Sequence, residues 1–372
     1  MNHGKIDKIW TISPANKIEG EAIRQLERAG SLPGMLRAVG LPDLHPGKGA
    51  PVGAAFFTDG MVYPYLLGND VGCGMALWKT SLKSGRFKSE KTEKRLHGLD
   101  EPWGGDAGAW LGDYGVKHVS DEYALGTIGL GNHFAELQTI VDVHDEDACG
   151  GAGVESGKVY MLIHSGSRTK GDILLRSHVD KHRDAGLDTS LAEGQEYLER
   201  NDECLRWAHA NRALIAQRIL GLIDGDGVEI SDHPHNFVEG ATIGGIKGFI
   251  HRKGATSADR GITVIPGSRG SLTYVVQPIP AEESLNSVAH GAGRKWARGE
   301  CKERLRDRFS VQSLTRTELG GLVICEDKDL LFEEAPMAYK NIDKVIIEMK
   351  DAGLIRVLAT LKPVITYKVR RS

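Results

Sequence analysis

The stretch VYMLIHSGSR (residues 159–168) decides the architecture. Five consecutive β-type residues, Val159 to Ile163, stop abruptly at a histidine followed by Ser-Gly-Ser-Arg. A short apolar run bounded by turn residues reads as a buried strand, and loops at strand ends are where functional groups are displayed. The same construction recurs in ITVI before PGSRG (262–270) and in GFI before HRKGA (248–255). Between such runs, Leu198, Leu205, Ala208, Ile215 and Ile219 repeat at helical spacing within Leu191 to Ile223. SPANKIEGEAIRQLERAG (13–30) reads as an earlier helix, opened near Ser13-Pro14 and closed by Gly30. NIDKVIIEMKDAG (341–353) reads as a last helix feeding LIRVLATLKPVITYKVRRS, whereas residues 81–125 are polar and glycine-rich with little periodicity. This mixture predicts the α+β class. No internal repeat, low-complexity tract or linker divides residues 1–372, so a single domain is expected.

Composition narrows the functional classes. With 372 residues, 40% apolar and 26% charged, the chain can bury a sizeable core. No apolar run approaches the roughly 18 residues of a membrane span, and MNHGKIDKIWTISP lacks the apolar centre of a signal peptide. The expectation is a cytoplasmic protein with no membrane partner. Five scattered cysteines (Cys73, Cys149, Cys204, Cys301, Cys325) contain no C-x-x-C pair, which argues against a disulfide framework or zinc finger. A formal net charge of −3 gives no global attraction to nucleic acid. Such contact must come from a local patch, and GAGRKWARGECKERLRDR (291–308) contains one, although a basic run of this kind also reads as a solvated helix face.

Two groups of residues carry the chemistry. Asp70 and Cys73 in GNDVGCGM can present carboxylate and thiolate from one turn, while His133, His164 and His235 each sit in a polar or glycine-containing setting. Three imidazoles, one carboxylate and a sulfur that bridges two cations would make a dinuclear centre with open positions for phosphate oxygens. Spacing alone leaves the bland alternatives open: surface histidines, a turn-capping Asp70 and a small buried Cys73. The second group is SVAHGAGRKWARG (287–299). Gly291, Ala292 and Gly293 leave His290 uncrowded, their NH groups suit a phosphate if a helix begins there, and Arg294 adds a planar fork. That combination fits a histidine that meets a phosphoryl group.

Ten segments, taken together and in order, resemble the RtcB family of GTP-dependent RNA-splicing ligases. They are LPDLHPGKGAPVGA, GNDVGCGM, GTIGLGNHFAE, LIHSGSR, HPHNF, HRKGATSA, IPGSRG, AHGAGR, PMAYKNID and LKPVITYK, running from about residue 41 to Lys368. The resemblance implies mixed sheets and helices around a central two-manganese site, with GTP as the second cofactor. It also implies a monomer that joins RNA bearing a 2′,3′-cyclic phosphate or 3′-phosphate to RNA with a 5′-hydroxyl, in tRNA splicing or RNA repair. On this resemblance Cys73 bridges the ions, Asp70 and His133 complete one site, and His164 and His235 the other. Manganese here runs against softness, which would nominate zinc or iron for a thiolate. His290 resembles the histidine that becomes guanylylated.

The resemblance extends to the nucleotide. Glu136 would accept from guanine N1 and N2, Lys368 would donate to O6, and Phe134 and Tyr339 would wall the base. Asn132, Asn236, Pro266, Gly267, Ser268, Arg269, Thr273, Gly291, Ala292 and Gly293 match further nucleotide contacts. Asp43, His45, Arg168, Arg252 and Arg294 match supporting or RNA-binding positions. Arg269 stands where the family commonly has methionine, and Thr273 where it has serine. The segment between Cys73 and His133 is shorter than in many members, a trait of shortened bacterial relatives associated with RNA repair. The competing expectation is a dinuclear phosphodiesterase or phosphatase, which would use the same metal ligands but needs no guanine pocket and no nucleophilic histidine. Neither a Lys-x-Asp-Gly motif nor a P-loop is present.

Overall fold

In the computed structural model, which describes residues 9–14, 18–117 and 122–370, the run Val159 to Ile163 lies in the strand Lys158–Ser165. It is buried on both faces because successive side chains point to opposite sides. Val159, Met161 and Ile163 join a cluster with Ala213, Ala216 and Ile219 of the helix Ala192–Leu222. Tyr160 and Leu162 join Met75, Leu77, Val264 and Val275 on the other face.

This strand lies inside an eight-stranded sheet. Its order is Thr263–Pro266, Thr273–Pro278, Ile355–Val369, Phe134–Val143, Lys158–Ser165, Gly74–Lys83, Gly227–Pro234, with Leu322–Cys325 also pairing to the C-terminal strand. All these pairs are antiparallel except that of Leu322–Cys325. A second, five-stranded sheet runs Ile9–Thr11, Met35–His45, Val52–Thr58, Ile246–Lys253, Asn236–Ile243. The chain passes from the larger sheet to the smaller at a single residue, His235, between Pro234 and Asn236. Mixed sheets with helices against them meet the α+β expectation. Among the described residues no helix is long and apolar enough to cross a membrane.

Two expected boundaries move. The first helix is Gly20–Gly30, ending where expected but starting well after Ser13-Pro14. Ser13 instead hydrogen-bonds Glu348 across the fold, and Ala15 to Lys17 lie outside the described residues. GFI does not stop before HRKGA. The strand runs on to Lys253, because pairing with both neighbours continues that far. His251, Arg252 and Lys253 are therefore buried strand residues, each with its polar atoms engaged. The long helix and the last helix, Ile342–Asp351, fall where periodicity placed them.

His251 carries a measurable consequence. Its Nε2 accepts the Tyr63 backbone N–H at 2.9 Å, so the proton resides on Nδ1. A second ring proton would face that N–H, and burial lowers the pKa to about 4 from 6.5. The unfolded chain takes up this proton below about pH 6.5 and the folded protein does not until about pH 4, so stability falls as the solution is acidified through that window. His251→Gln removes this share of the dependence. Urea midpoints between pH 7 and 4.5 should fall less steeply, by up to about 1.4 kcal/mol per pH unit. Parallel slopes in the two proteins would contradict the assignment.

Candidate functional site

Antiparallel pairing brings four chemically active residues to one end of the large sheet. Cys73 immediately precedes Gly74–Lys83, His133 precedes Phe134–Val143, His164 is the penultimate residue of Lys158–Ser165, and His235 follows Gly227–Pro234. Register places them side by side: Gly74 pairs with Ser165 and with Pro234, and Phe134 pairs with His164. The His235 N–H donates to the Cys73 carbonyl at 2.8 Å. Asp70 reaches the group from the turn closed by the Cys73 N–H on its carbonyl.

The side chains converge. The Cys73 Sγ lies 3.1 Å from His164 Nε2 and 3.4 Å from His133 Nε2. His164 Nε2 lies 3.3 Å from His235 Nε2, and His133 Nε2 lies 2.7 Å from Asp70 Oδ2. Two donor triads result, Asp70–Cys73–His133 and Cys73–His164–His235, each close enough to hold one ion and sharing the sulfur. The His164 Nδ1–H donates to the Asn132 carbonyl at 3.1 Å, which leaves a lone pair on Nε2 aimed at Cys73 and His235. Lone pairs packed this way repel one another unless a cation lies among them. With metal–nitrogen bonds of roughly 2.0–2.1 Å, adjacent ligand atoms on one ion stand about 3 Å apart, close to these spacings. Burial drives both His164 and His235 well below the usual imidazole range, favouring the neutral ligand form. Burial and the Asp70 charge push the Cys73 thiol well up, so the sulfur is a thiol until a cation replaces its proton. Burial alone would raise the Asp70 pKa, but His133 beside it holds it down. Asp70 Oδ1 is buried without a hydrogen-bond partner, a donor left for an ion.

His290 stands against this cluster, its ring centroid 4.7 Å from that of His235. Its Nδ1–H donates to Asp43 Oδ2 at 2.7 Å, and Asp43 is fully buried. The carboxylate therefore fixes the tautomer and leaves Nε2 with a lone pair. Backbone approaches this pair closely. A Cβ on Gly254 would sit 2.8 Å from His290 Cε1, and one on Gly293 would collide with the Asp43 carbonyl; both residues have positive φ. His45 flanks the pair, its Nδ1 at 2.8 Å from the Asp43 carbonyl oxygen.

A cleft of about 1490 Å³ opens over both groups, larger than the roughly 300–1,000 Å³ of an ordinary small-molecule pocket. Asp70, Cys73, Asn132, His133, Phe134, Glu136, His164, Arg168, His235, Asn236, Pro266, Gly267, Ser268, Arg269, His290, Gly291, Ala292, Gly293, Arg294, Tyr339 and Lys368 all line it, as does His45. At one end Glu136 is buried, accepting from Thr366 Oγ1 and Gln138 Nε2 at 2.7 Å each, and burial raises its pKa. Lys368 donates to the Gly131 carbonyl at 2.8 Å and lies 5.9 Å above the Phe134 ring; burial lowers its pKa to about 8, so it stays largely charged at neutral pH. A carboxylate, an ammonium and an aromatic face thus meet in one recess.

Several expected residues have other duties. Arg252 is buried outside the cleft, donating to Ser287 Oγ and paired with Glu239, so it is a link between strands and not an RNA contact. Thr273 also lies behind the lining, where its Oγ1 accepts from Gln138 Nε2 at 3.0 Å; it reaches the recess only through Glu136's neighbour. Arg269 borders the cleft, but its guanidinium turns away to the carbonyls of Leu331 and Glu334, both at 2.9 Å. No helix starts at His290-Gly-Ala-Gly. The helix in that region is Arg298–Leu305, and Arg294 is held by Glu334 at 3.0 Å and the Glu333 carbonyl at 2.7 Å. The exposed Lys302 and Arg304 of that helix pair with Asp329 and Glu300, as a solvated face does. Arg168 is strained, with φ of 57°, and sets Nη1 3.3 Å from His133 Nδ1; such strain in a non-glycine residue concentrates at functional positions.

Sequence reasoning missed Glu334. It is buried at the cleft wall, bonded to the Tyr339 hydroxyl, paired with Arg294 and 3.8 Å from Lys368. Against burial, which would raise its pKa, Lys368, Arg298 and Arg294 hold it down. Its only signal was its place two residues before PMAYKNID. Gln138, two residues beyond Glu136 on the same strand face, was within reach of period-two reasoning.

The chain matches the family described as tRNA-splicing ligase RtcB over residues 25–102 and 116–369. It is 44% identical to the RNA-splicing ligase RtcB2 of Escherichia coli over 370 residues, covering 97% of this chain and 96% of that protein. It is 31% identical to the tRNA-splicing ligase RtcB of Archaeoglobus fulgidus, covering 93% of this chain and 90% of that protein.

Cys73→Ser tests the shared-donor geometry. Because both triads use this sulfur, the variant should lose most bound divalent metal after dialysis, measured by elemental analysis against wild type. Equal metal content in the two proteins would take the sulfur out of the centre.

Proposed function

Because the chain belongs to the RtcB family, we propose that it is an RNA ligase that joins 3′-phosphate or 2′,3′-cyclic-phosphate ends to 5′-hydroxyl ends, using GTP and two manganese ions. The observation that carries this reading is the Asp43–His290 pair beside the Cys/His/Asp cluster, in the same cleft as Glu136, Phe134 and Lys368. Asp70, Cys73 and His133 would hold one ion, and Cys73, His164 and His235 would hold the other. Bound there, the ions supply Lewis-acid neutralisation of phosphate charge.

The chain's own groups account for the remaining steps. Asp43 accepts a hydrogen bond from the His290 Nδ1–H, so Nε2 carries the lone pair and is the nucleophile. Nε2 bonds to the α-phosphorus of GTP as the bond to the bridging oxygen breaks and pyrophosphate departs. Asp43 stabilises the charge that the ring acquires. An oxygen of the RNA 3′-phosphate then displaces the imidazole from that phosphorus, giving an RNA-3′-pp-5′-G end and restoring His290. The 5′-hydroxyl oxygen of the second strand attacks the RNA-bound phosphorus, GMP leaves, and the hydroxyl proton passes to solvent. A cyclic end is first opened by water to the 3′-phosphate. Glu136 and Lys368 match the donor edge and O6 of guanine. Phe134 and Tyr339 offer faces for the ring, and Asn132, Asn236, Ser268 and the segment from His290 to Gly293, which line the same cleft, would contact the rest of the nucleotide. Arg168 and Arg294 border the same cleft.

The size of the cleft supports room for strand ends beside the nucleotide. A hydrolase using the same ligands leaves the Glu136–Lys368 recess and the Asp43–His290 pair without a task. The cleft takes residues from the eight-stranded and the five-stranded sheets of one chain, which supports a single domain able to act as a monomer on RNA.

Incubation with α-labelled GTP and manganese should leave acid-labile, base-stable label on the protein. His290→Ala should abolish it, and ATP should substitute poorly. Label persisting in the variant would move the nucleophile elsewhere, and equal use of ATP would remove Glu136 and Lys368 from base selection.

A further inference from the structure

The mechanism above makes no use of one buried arginine that is fully engaged by three separate segments of the core. Arg212, on the helix Ala192–Leu222, is 1% exposed. Its Nη1 donates to the Gly72 carbonyl at 2.9 Å and the Ser165 carbonyl at 2.8 Å. Its Nε and Nη2 donate to the two oxygens of Asp232, each at 2.6 Å. Gly72 immediately precedes Cys73, Ser165 immediately follows His164, and Asp232 lies three residues before His235 on the strand that delivers it. One planar group thus touches all three segments that carry the Cys73–His164–His235 triad.

We propose that Arg212 is a positioning residue for the metal centre, a clamp whose four hydrogen bonds set the spacing of Cys73, His164 and His235. The inference rests on the metal reading given above.

Three further observations support it. The helix is pressed directly onto the Cys73 loop: a Cβ on Gly72, whose φ is +79°, would lie 3.0 Å from both the Cys204 carbonyl oxygen and the Ala208 Cβ. Asn211, the preceding residue, adds Nδ2 contacts to Ser165 Oγ at 3.1 Å and the Gly166 carbonyl at 3.3 Å. Asp232 is itself backed by His209 and Glu229, which lie 3.1 Å apart. Those three could hold an ion by proximity, but both Asp232 oxygens already accept from Arg212, so the group reads as the anchor of the clamp. Only a guanidinium presents rigid, divergent donors to two carbonyls and a carboxylate at once; lysine offers a single point of charge. Groups that orient metal ligands from behind typically change metal affinity 10–100-fold when removed.

Cobalt(II) titration reads the ligand set directly, through the near-ultraviolet thiolate-to-cobalt charge-transfer band. Wild type, Arg212→Lys and Asp232→Asn are titrated after chelator treatment, with urea unfolding of each metal-free protein as a parallel measurement. In both variants one of the two cobalt ions should bind 10–100-fold more weakly, with a smaller charge-transfer band at saturation. Asp232→Asn keeps the guanidinium and its carbonyl bonds, so it reports on the clamp even where Arg212→Lys does not fold. Variants with a lower urea midpoint but wild-type cobalt affinity and spectrum would make Arg212 a stabilising ion pair only and overturn the proposal. Absence of the charge-transfer band in wild type would instead overturn the metal reading itself.

Discussion

The register of Gly74–Lys83 against its two neighbours governs everything that happens at the cleft. Gly74 opposite Ser165 and Pro234 places Cys73, His164 and His235 within 3.1–3.3 Å steps of one another. Side chains alternate along a strand, so a slip of one residue would turn His164 to the opposite face of the sheet. The apolar faces forbid that slip: Met161 and Ile163 must meet the long helix while Tyr160 and Leu162 meet the other layer. The hydrophobic alternation that makes the strand is therefore also what aims its histidine.

Electrostatics then assigns states to groups that register has only placed. His164 is made a lone-pair donor by the Asn132 carbonyl, and His290 by the Asp43 carboxylate. The two rings face one cleft with opposite partners behind them, a neutral dipole for the ligand and an anion for the residue read as nucleophile. An anion behind His290 stabilises positive charge developing on that ring. A second anion behind His164 is absent from its contacts, which suits a ring that faces other lone pairs. Glu334 plays the complementary part at the far wall, matching Arg294 and Lys368 so that buried cations are not left unpaired.

How much of this was legible depends on sequence distance. Asp70 and Cys73 share one turn, and VYMLIHSGSR announces both the strand and the histidine at its end, so local pattern was enough for these. The ten ordered segments added the long-range set: His290 and Asp43 lie 247 residues apart, a separation no periodicity spans. The reading failed where a polar residue belonged to a strand interior or an internal charge match. Arg252 looks in sequence like a surface arginine, yet it is a buried strand residue whose charge Glu239 takes inside the fold, and Arg294, although it lines the cleft, is paired there with Glu334. Ser13-Pro14 resembled a helix start, but the serine was needed by Glu348 far along the chain. Arg212 sits within a correctly placed helix; its task was invisible because its partners come from three distant segments.

A metal centre can be built by folding around the ion or by holding donors in place beforehand. Small zinc domains take the first route and are unfolded without metal. Here the donors emerge from strands whose flanking residues are buried in large apolar clusters on both faces of the sheet. The backbone bond from His235 to Cys73 and the bond from the Arg212 guanidinium to the Gly72 carbonyl do not involve any ligand atom. Crowding of lone pairs thus becomes a cost the scaffold sustains in advance, and an arriving cation relieves it with little rearrangement of backbone. Preorganisation of this kind suits a centre that must keep a fixed distance to a third group. His290 approaches from the other side of the cleft on Ser287–Ala289, a short strand outside the large sheet. Its relation to the donors is set where the chain crosses between sheets at His235, with the Ala255 N–H on the His235 carbonyl at 3.1 Å and the Gly254 N–H on Asn236 at 2.8 Å. That junction is why a ring on one layer and a donor cluster on another can line a single cleft.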